Sequence, residues 1–347
     1  MSNTIYFAGS EQSAVNGTYG LNTNTAYFDA NYVRCSYECT QDRNGVAHKY
    51  VDVYLKSETP ANSADGFWLH FNKYQVTNLA TTSANPVVIT NAAGQEVFSL
   101  QIKALDAVAL RLYSSSNTYV DSADTAALYG NNPENNNRLF HVDIHVYTTA
   151  AGHAQADAYR AGHLVATVTN TTGYARGAYK LQFRGTNNKT ATGAGPYPTY
   201  YSEFIVANFD TRHLRVNTCY PASNGTYTEA TGGYANIDEV SRTTDSVLIA
   251  NIGDRYSFKT ARHGNPASKP IIAVAVNCSG YSPDDTAGLQ TGLRIGGADY
   301  YADSLSDLLG TVSQSYAIFT ANPAGGESFP SDMANEVEVI FKAVTVP

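Results

Sequence analysis

The sequence predicts an all-β protein, and three observations lead to that class. Apolar and polar residues alternate with a period of two in many short segments. Aromatic and β-branched residues, which favour strands, are frequent in those segments, and the chain holds 26 Tyr and 13 Phe. Gly, Asn and Ser lie between the segments, as in turns. Strands of this size separated by turns are typical of a β-sandwich, so we expect two packed antiparallel sheets.

The alternating segments follow one another through the first two thirds of the chain. In order they are residues 50–55, 66–71, 97–102, 109–113, 139–147, 179–183 and 202–206. Helical patterns are scarce by comparison. Residues 301–309 give the best helical pattern, and residues 284–290 give a shorter one.

The length of 347 residues and a change of pattern predict two domains. We expect a sandwich over residues 1–217 and a linker over residues 218–236, where turn residues dominate. A smaller β-rich domain is then expected over residues 237–347. Its strands are predicted at residues 271–276 and 336–341.

The charge of the chain argues against two classes of partner. Lys and Arg number 22 against 30 Asp and Glu, which gives a formal net charge of −8. Non-specific nucleic-acid binding requires clustered cations, so no nucleic-acid partner is expected. The longest apolar run is six residues, too short to span a bilayer, so no membrane partner is expected. The first residues show no basic and apolar pattern, so no signal peptide is predicted.

Four cysteines occur, at positions 35, 39, 219 and 278. If Cys35 and Cys39 lie on one extended strand, their Cα atoms are about 13 Å apart. A disulfide tolerates a separation under about 7 Å. We therefore expect structural free thiols, with a long-range disulfide as the alternative.

The segment 140–147 gives the clearest candidate site. Alternation places one set of side chains on each face, with Phe140, Val142, Ile144 and Val146 on the apolar face and His141, Asp143, His145 and Tyr147 on the polar one. Three interpretations of the polar face stay open: a partly exposed sheet face, a ligand-contacting face, or a metal site. Neighbouring side chains on one face are about 7 Å apart, too far for a single strand to hold an ion at about 2.1 Å. We expect no metal and no cofactor.

A second candidate lies among aromatic residues. Tyr197, Tyr200 and Tyr201 follow a loop rich in Gly, Thr and Asn. Tyrosine beside small polar residues on loops is typical of recognition surfaces, including those that bind sugars. Packing between loops and sandwich, or contacts between subunits, is the alternative.

No pattern in the sequence predicts catalysis. The motifs of nucleophilic, zinc-dependent and phosphate-binding enzymes are missing. Glu336 and Glu338 are predicted to share a face of the last strand, at a spacing that an inverting glycosidase also uses. A solvated strand face explains that pair better, so we expect a protein that is not an enzyme.

The first 217 residues resemble concanavalin A-like (laminin-G-like) jelly-roll domains. The segments that carry the resemblance are residues 32–35, 67–71, 140–146, 158–165 and 201–207 with 210–212. The last of these is similar to the closing strand of versions found in bacteriophage virion proteins. The resemblance implies a lectin-like sandwich, in which the polar residues of segment 140–147 and the tyrosines at 197, 200 and 201 contact a glycan or a partner.

The remainder resembles a module that follows such domains in phage structural proteins. The segments concerned are residues 237–240, 270–276, 296–301 and 322–329, the last with Phe329 where the module usually has Trp. Together the resemblances imply a bacteriophage virion protein, in a tail, fibre or surface position. Other virion proteins are its expected partners, host surface polysaccharide is a further one, and the protein is expected to form homo-oligomers.

Three other functions remain as alternatives to that expectation. A glycan-degrading enzyme on the same fold would need two facing carboxylates, one with a raised pKa. A capsid decoration protein would have an assembly role alone. A secreted adhesin would require an export signal.

Overall fold

The computed structural model divides the chain into two compact units. It describes residues 3–41, 46–75, 84–104, 107–129, 138–185, 198–241, 245–262, 270–283, 286–307, 313–325, 329–330 and 333–345. Unit 1 comprises Met1–Ser10, Val15–Asp29 and Cys35–Val216. Unit 2 comprises Glu11–Ala14, Ala30–Arg34 and Asn217–Pro347.

The described residues of unit 1 form fifteen strands. They are β1 Ile5–Gly9, β2 Asn16–Thr18, β3 Gly20–Asn22, β4 Ser36–Gln41, β5 Ala47–Tyr54, β6 Phe67–Gln75, β7 Val87–Thr90, β8 Glu96–Ala104, β9 Ala107–Tyr113, β10 Tyr119–Asp121, β11 Leu139–Thr148, β12 Ala154–Arg160, β13 His163–Asn170, β14 Lys180–Arg184 and β15 Thr199–Ala207. The alternating segments of the sequence all fall within or overlap these strands. The predicted all-β jelly-roll class is confirmed.

The strands form two antiparallel layers joined at one corner. Layer 1 has the order β10-β9-β8-β7-β14-β5, and layer 2 has the order β4-β15-β6-β11-β12-β13. The layers join where Thr40 of β4 pairs with Lys49 of β5. Strands β1, β2 and β3 add to β15, β5 and β4 respectively. Strands β6 and β11 are thus central in layer 2, which matters for the site described below.

Aromatic rings from both layers fill the space between them. Phe71 of layer 2 meets Phe183 of layer 1 edge-on, with ring centroids 5.1 Å apart. Phe204 lies 4.7 Å from the same Phe183 ring. All three side chains are fully buried. Burial of each such ring contributes about 1.5–3 kcal/mol, so these contacts hold the layers face to face.

Unit 2 is also built from strands. They are β16 Cys219–Thr228, β17 Arg255–Arg262, β18 Val274–Gly280, β19 Ala287–Ile295, β20 Ala298–Asp307, β21 Ser313–Phe319 and β22 Val337–Thr345. A five-stranded sheet has the order β16-β17-β22-β19-β20, and β18 pairs with β21. A short helix, α1 Met333–Glu336, precedes β22, and 3₁₀ turns occur at Gln12–Ala14 and Tyr234–Asn236.

Two segments predicted to be helical are strands. The segment 301–309 lies in β20 as far as Asp307, and its last two residues lie outside the described residues. Residues 287–290 of the other segment begin β19, and residues 284–285 are not described. Strands β19 and β20 pair with each other in a hairpin, so sheet hydrogen bonds override the local helical pattern.

The predicted linker over residues 218–236 is wrong for most of its length. Cys219–Thr228 is strand β16, which pairs with β17. The turn-rich composition misled the prediction because β16 is irregular. Its register shifts twice, between Pro221 and Ser223 and between Asn224 and Thr228. Bulges of this kind admit residues that regular strands disfavour.

The core of unit 2 explains the aromatic residue at position 329. Phe329 is buried in a cluster with Tyr256, Leu293, Val337 and Val339. A large apolar ring is therefore required at the end of segment 322–329. Phenylalanine meets that requirement.

Cys35 and Cys39 are buried in β4 and the residue before it, and no disulfide joins any of the four cysteines. The Cys35 thiol contacts the carbonyl oxygen of Ser10 at 3.4 Å. Burial raises the pKa of the Cys39 thiol far above its ordinary value. These two cysteines therefore pack as small core residues.

No helix in the described part of the chain has the length and apolar character needed to cross a membrane.

A buried lysine is an exception to the apolar core of unit 1. Lys73 is fully buried on β6, and its Nζ donates to the carbonyl oxygen of Leu128 at 3.0 Å. The same nitrogen lies 3.9 Å from the ring centroid of Tyr129 and 4.7 Å from that of Phe140. Burial, and to a smaller extent the nearby charge of Arg160, lowers the pKa of Lys73 well below its ordinary value.

Replacing this lysine tests the cost of burying its amine. Between the lowered pKa of the folded state and the ordinary value near 10.5, the unfolded chain binds a proton that the folded chain lacks. Stability therefore rises with pH in that window. We expect Lys73→Met to raise the free energy of unfolding by about 1–3 kcal/mol at pH 7 and to flatten this pH dependence. Urea unfolding at several pH values measures both, and a destabilised Met variant with an unchanged pH slope contradicts the account.

Candidate functional site

The polar side chains of segment 140–147 lie on the face of layer 2 that points away from the sandwich core. In the register of β6 and β11, His145 pairs with Trp68, Asp143 with His70, and His141 with Asn72. The alternate residues Val142, Ile144 and Val146 are fully buried inside the sandwich. The two faces that alternation predicts for this segment are thus observed. The register also brings the side chains of β6 beside those of β11 on one outer face.

An aromatic row crosses this outer face. It consists of Tyr147, His145, Trp68 and Tyr159. Tyr147 stacks on His145 at 4.3 Å, and His145 stacks on Trp68 at 4.3 Å, with interplanar angles of 14° and 9°. Tyr159 of β12 lies 5.5 Å from Trp68. The Arg212 guanidinium covers this end of the row, 4.7 Å from the Tyr159 ring and 5.4 Å from Trp68.

An open cleft adjoins the aromatic row. Its volume is about 360 Å³, and its lining residues are Asn3, Ala64, Asp65, Trp68, His145, Asn208 and Phe209. The indole and imidazole thus belong to both the row and the cleft. Amide and carboxylate groups complete the lining, which gives the site apolar rings beside hydrogen-bonding groups.

The local backbone positions these rings. Gly66, which precedes Trp68 by two residues, has a φ of +57° and lies against β11. A Cβ at this position would lie 1.9 Å from the carbonyl oxygen of Val146. Only glycine permits the close approach that starts β6 beside the end of β11. His145 is fixed further by its Nε2, which donates to the carbonyl oxygen of Asp65 at 2.8 Å.

The ionisable groups of the row are held in their neutral forms. Burial lowers the pKa of His145, although the hydrogen bond to Asp65 opposes this effect. Burial and the nearby Asp157 carboxylate raise the pKa of Tyr147 to about 12. The Tyr147 hydroxyl donates to Asp157 at 3.2 Å. Near neutral pH the row therefore presents uncharged rings.

Next to the row lies a buried polar cluster. The Asp143 carboxylate is fully buried and accepts hydrogen bonds at 2.8 Å from His70 and from the Thr211 hydroxyl. Because a carboxylate only accepts, His70 carries its proton on Nδ1. Its Nε2 lies 3.3 Å from Nδ1 of His141, within hydrogen-bond distance. Thr211 belongs to the segment that follows β15, so this cluster ties that segment to the sheet.

A second buried group lies on β15. Glu203 has a φ of +57° at an irregularity in the pairing of β15 with β6, and it is fully buried. Arg215 donates to both of its carboxylate oxygens at 2.7 Å and also to Asp29 at 2.8 Å. Burial raises the pKa of Glu203, against the effect of Arg215. The strained backbone and the ion pair together hold the end of β15 and the following segment in place.

The two described tyrosines of the predicted recognition surface, Tyr200 and Tyr201, are buried. Tyr201 is fully buried in the sandwich, where its hydroxyl donates to the carbonyl oxygen of Arg184 at 2.9 Å. Tyr200 is 6% exposed and stacks on Tyr27 at 4.1 Å. Both residues belong to strand β15 and not to a loop. Because side chains alternate along a strand, Tyr201 points into the sandwich and Tyr200 points to the other face, where Tyr27 covers it. Tyr197 lies outside the described residues.

The predicted pair of glutamates is also separated. Glu336 ends helix α1, whereas Glu338 lies on β22. The Glu338 carboxylate accepts from the backbone amide of Thr226 at 2.7 Å and from the Ser257 hydroxyl at 2.9 Å. The strand begins one residue later than the alternation indicated, so the two side chains do not share a strand face.

Sequence analysis missed most of the cleft. Asn3, Asn208 and the neighbouring residues Asp65 and Trp68 come from three separate parts of the chain. One signal was present, because the single Trp of the chain alternates with His70 in segment 66–71. No local pattern indicates the approach of Asn3 and Asn208 to that strand. Among the residues that the structure describes, no group of three His, Cys, Asp or Glu is arranged to hold a metal ion.

The fold defines this chain as an all-β protein with a jelly-roll sandwich unit. No protein-family model matches the sequence, and no curated protein matches it. Solved structures with some similarity include an endo-β-1,4-glucuronan lyase from Trichoderma reesei, at 10% identity and a TM-score of 0.40, covering 59% of this chain and 91% of the lyase. The binding domain of botulinum neurotoxin serotype D has 9% identity and a TM-score of 0.43, covering 99% of this chain and 96% of that domain.

The binding domain of Paraclostridial Mosquitocidal Protein 1 is also similar. It has 11% identity and a TM-score of 0.41, covering 59% of this chain and 49% of the other. At these values the likenesses carry no conclusion about function, which must come from the site.

Acid titration tests the buried polar cluster. Burial lowers the pKa of His141 to about 4, and the nearby charges of His70 and Arg215 act in the same direction, against Asp143 and Asp29. Between pH 6.5 and 4 the unfolded chain binds a proton at this position that the folded chain lacks, so stability falls as the pH falls.

We expect this imidazole to account for a loss of about 3 kcal/mol between pH 6.5 and 4. The variant His141→Gln should show a correspondingly shallower pH dependence of the free energy of unfolding, measured by urea titration. His163→Gln, at an exposed position of β13, is the matched control. Equal pH slopes for the wild type and His141→Gln rule out the buried neutral imidazole.

Proposed function

We propose that unit 1 is a glycan-binding module and that the cleft beside Trp68 is its binding site. The observation that carries this proposal is the composition of the cleft: the rings of Trp68 and His145 lie beside the polar side chains of Asp65 and Asn208. A sugar ring has apolar C–H faces and a rim of hydroxyl groups. The exposed edges of these rings, with the convergent amides and the Asp65 carboxylate, match both parts of that surface.

The size of the cleft fits a short glycan. A volume of about 360 Å³ is at the lower end of the range for small-molecule sites, so one or two sugar units fit. The aromatic row extends from this cleft along the sheet toward Tyr147. A longer chain leaving the cleft in this direction would therefore pass over further rings. Host surface polysaccharide is a ligand of this kind.

The geometry favours binding over glycan cleavage. Hydrolysis requires two carboxyl groups that face the same glycosidic bond. Glu203 has the raised pKa expected of a general acid, but it is fully buried and both oxygens are bonded to Arg215. Asp143 is likewise fully buried and is bonded to His70 and Thr211. Asp65 is the one carboxylate among the described residues that line the cleft.

Filling the cleft tests the proposal without disturbing the core. Ala64 is an exposed residue of the cleft lining, so Ala64→Phe places a ring in the cleft. We expect this variant to lose at least about tenfold in glycan affinity, on a glycan array and by calorimetry, while its melting temperature stays within a few degrees of the wild type.

Ala93→Phe adds the same ring at an exposed position of the turn between β7 and β8 and is the matched control. It should bind glycans as the wild type does. If Ala64→Phe retains full glycan binding, or if the wild type binds no glycan, the cleft is not a glycan site.

We further propose that the whole chain is a structural component of a bacteriophage virion, in a tail, fibre or surface position. The support is the resemblance of both parts of the sequence to phage virion modules, together with the buried aromatic residue at position 329. Its partners in this proposal are other virion proteins and further copies of itself. A role in capsid decoration alone would leave the cleft without a ligand.

Mass spectrometry of purified particles checks this second part. We expect peptides from both units in intact particles of the phage that encodes the chain, and chemical cross-linking should capture a homo-oligomer. Particles that lack these peptides contradict the virion assignment and leave the glycan assay to be judged separately.

A further inference from the structure

From the charges around the cleft, we infer that its ligand is a neutral or amino-bearing glycan, and that uronic, sialylated and sulfated glycans bind it more weakly at low ionic strength. This inference rests on the proposed glycan-binding function. It concerns which sugars the site accepts, and it follows from the balance of charges near the rings.

Three carboxylates surround the aromatic row and the cleft. Asp65 lines the cleft itself. Asp157 lies beside Tyr147, and Asp210 lies close enough to His145 to influence its titration. Each carboxylate places a negative charge near a bound sugar.

The arginine that covers the aromatic row is already paired. Nε of Arg212 donates to Oδ1 and Oδ2 of Asp210 at 2.9 and 3.0 Å, and Nη2 donates to Oδ2. Its guanidinium plane also lies against Tyr159 and Trp68. A carboxylate or sulfate on a ligand would have to displace Asp210 from this arginine. Arg212 therefore compensates Asp210 and is not available to an anionic sugar.

The other two carboxylates have no cationic partner in the described part of the chain. Asp157 accepts from the Thr167 hydroxyl at 2.8 Å, from the Gln155 amide and from the Tyr147 hydroxyl, all of which are neutral. Asp65 forms no ion pair with a described residue. His145 adds no charge near neutral pH, because its pKa is lowered. Asp210 and Arg212 cancel each other and His145 is neutral, so Asp65 and Asp157 leave a net charge of two negative charges near the cleft.

Those two charges decide between ligand classes at low ionic strength. Two uncompensated charges about 8 Å from a sugar carboxylate weaken its binding by roughly fivefold in dilute buffer. The effect falls toward zero at high salt, because the screening length shortens to about 3 Å at 1 M. A positively charged amino group on the sugar is attracted by the same two charges, so it strengthens binding.

A glycan array with neutral, amino, uronic, sialylated and sulfated glycans, read at 20 mM and 500 mM salt, tests the inference. We expect the strongest signals from neutral and amino glycans, with binding of amino glycans strengthened and binding of anionic glycans weakened roughly fivefold at 20 mM salt relative to 500 mM salt. Ala64→Phe should abolish those signals. Anionic glycans that bind best, and lose binding in Ala64→Phe, overturn the inference while the proposed function stands.

A charge variant adds a second readout on the same array. Asp157→Asn removes one charge without altering the lining of the cleft, and it should raise any residual signal from anionic glycans about twofold at 20 mM salt. Asp124→Asn, at an exposed position outside this face, removes the same charge as a control and should leave the array unchanged. Equal effects of the two variants contradict the inference. An array with no binder at all overturns the proposed function and this inference together.

Discussion

The register between β6 and β11 is the constraint on which the rest of unit 1 depends. Pairing His145 with Trp68 and Asp143 with His70 sends the apolar side chains of both strands into the sandwich. A shift by one residue would expose Val142, Ile144 and Val146 to water and bury the imidazoles. The same register stacks His145 on Trp68 and so creates the aromatic row. The same strand pairing therefore determines both the packing of the core and the geometry of the candidate site.

Buried polar groups fix the position of the segment after β15 on this outer face. Asp143 binds Thr211, and Glu203 binds Arg215, so two contacts hold the segment after β15 against the sheet. Burying charged or polar groups costs free energy unless their hydrogen bonds are made, which restricts the segment to one arrangement. That arrangement places Asn208 and Phe209 at the cleft and Arg212 over the rings. Stability of the polar cluster and shape of the site are thus linked.

Sequence patterns failed where contacts with other strands and side chains overrule local preference. Residues 301–307 have a helical pattern, yet they form β20 because β19 offers a partner strand. Tyr201 was expected on a surface loop, but its ring packs 5.2 Å from Phe183 in the core. Lys73 occupies an inward position because two aromatic rings and a carbonyl receive its amine. The partners of Tyr201 and Lys73 are distant in the chain, whereas the partner of β20 is the adjacent strand of its hairpin.

The sequence by itself determined the all-β class and the two faces of segment 140–147, because the direction of a side chain along a strand is set by local backbone geometry. Only the tertiary structure decided which outward side chains stay accessible. Tyr200 is covered by Tyr27, whereas His145 borders a cleft completed by Asn3, Asp65 and Asn208. The accessibility of a side chain depends on which distant segments pack over it, and local periodicity in the sequence does not predict those contacts.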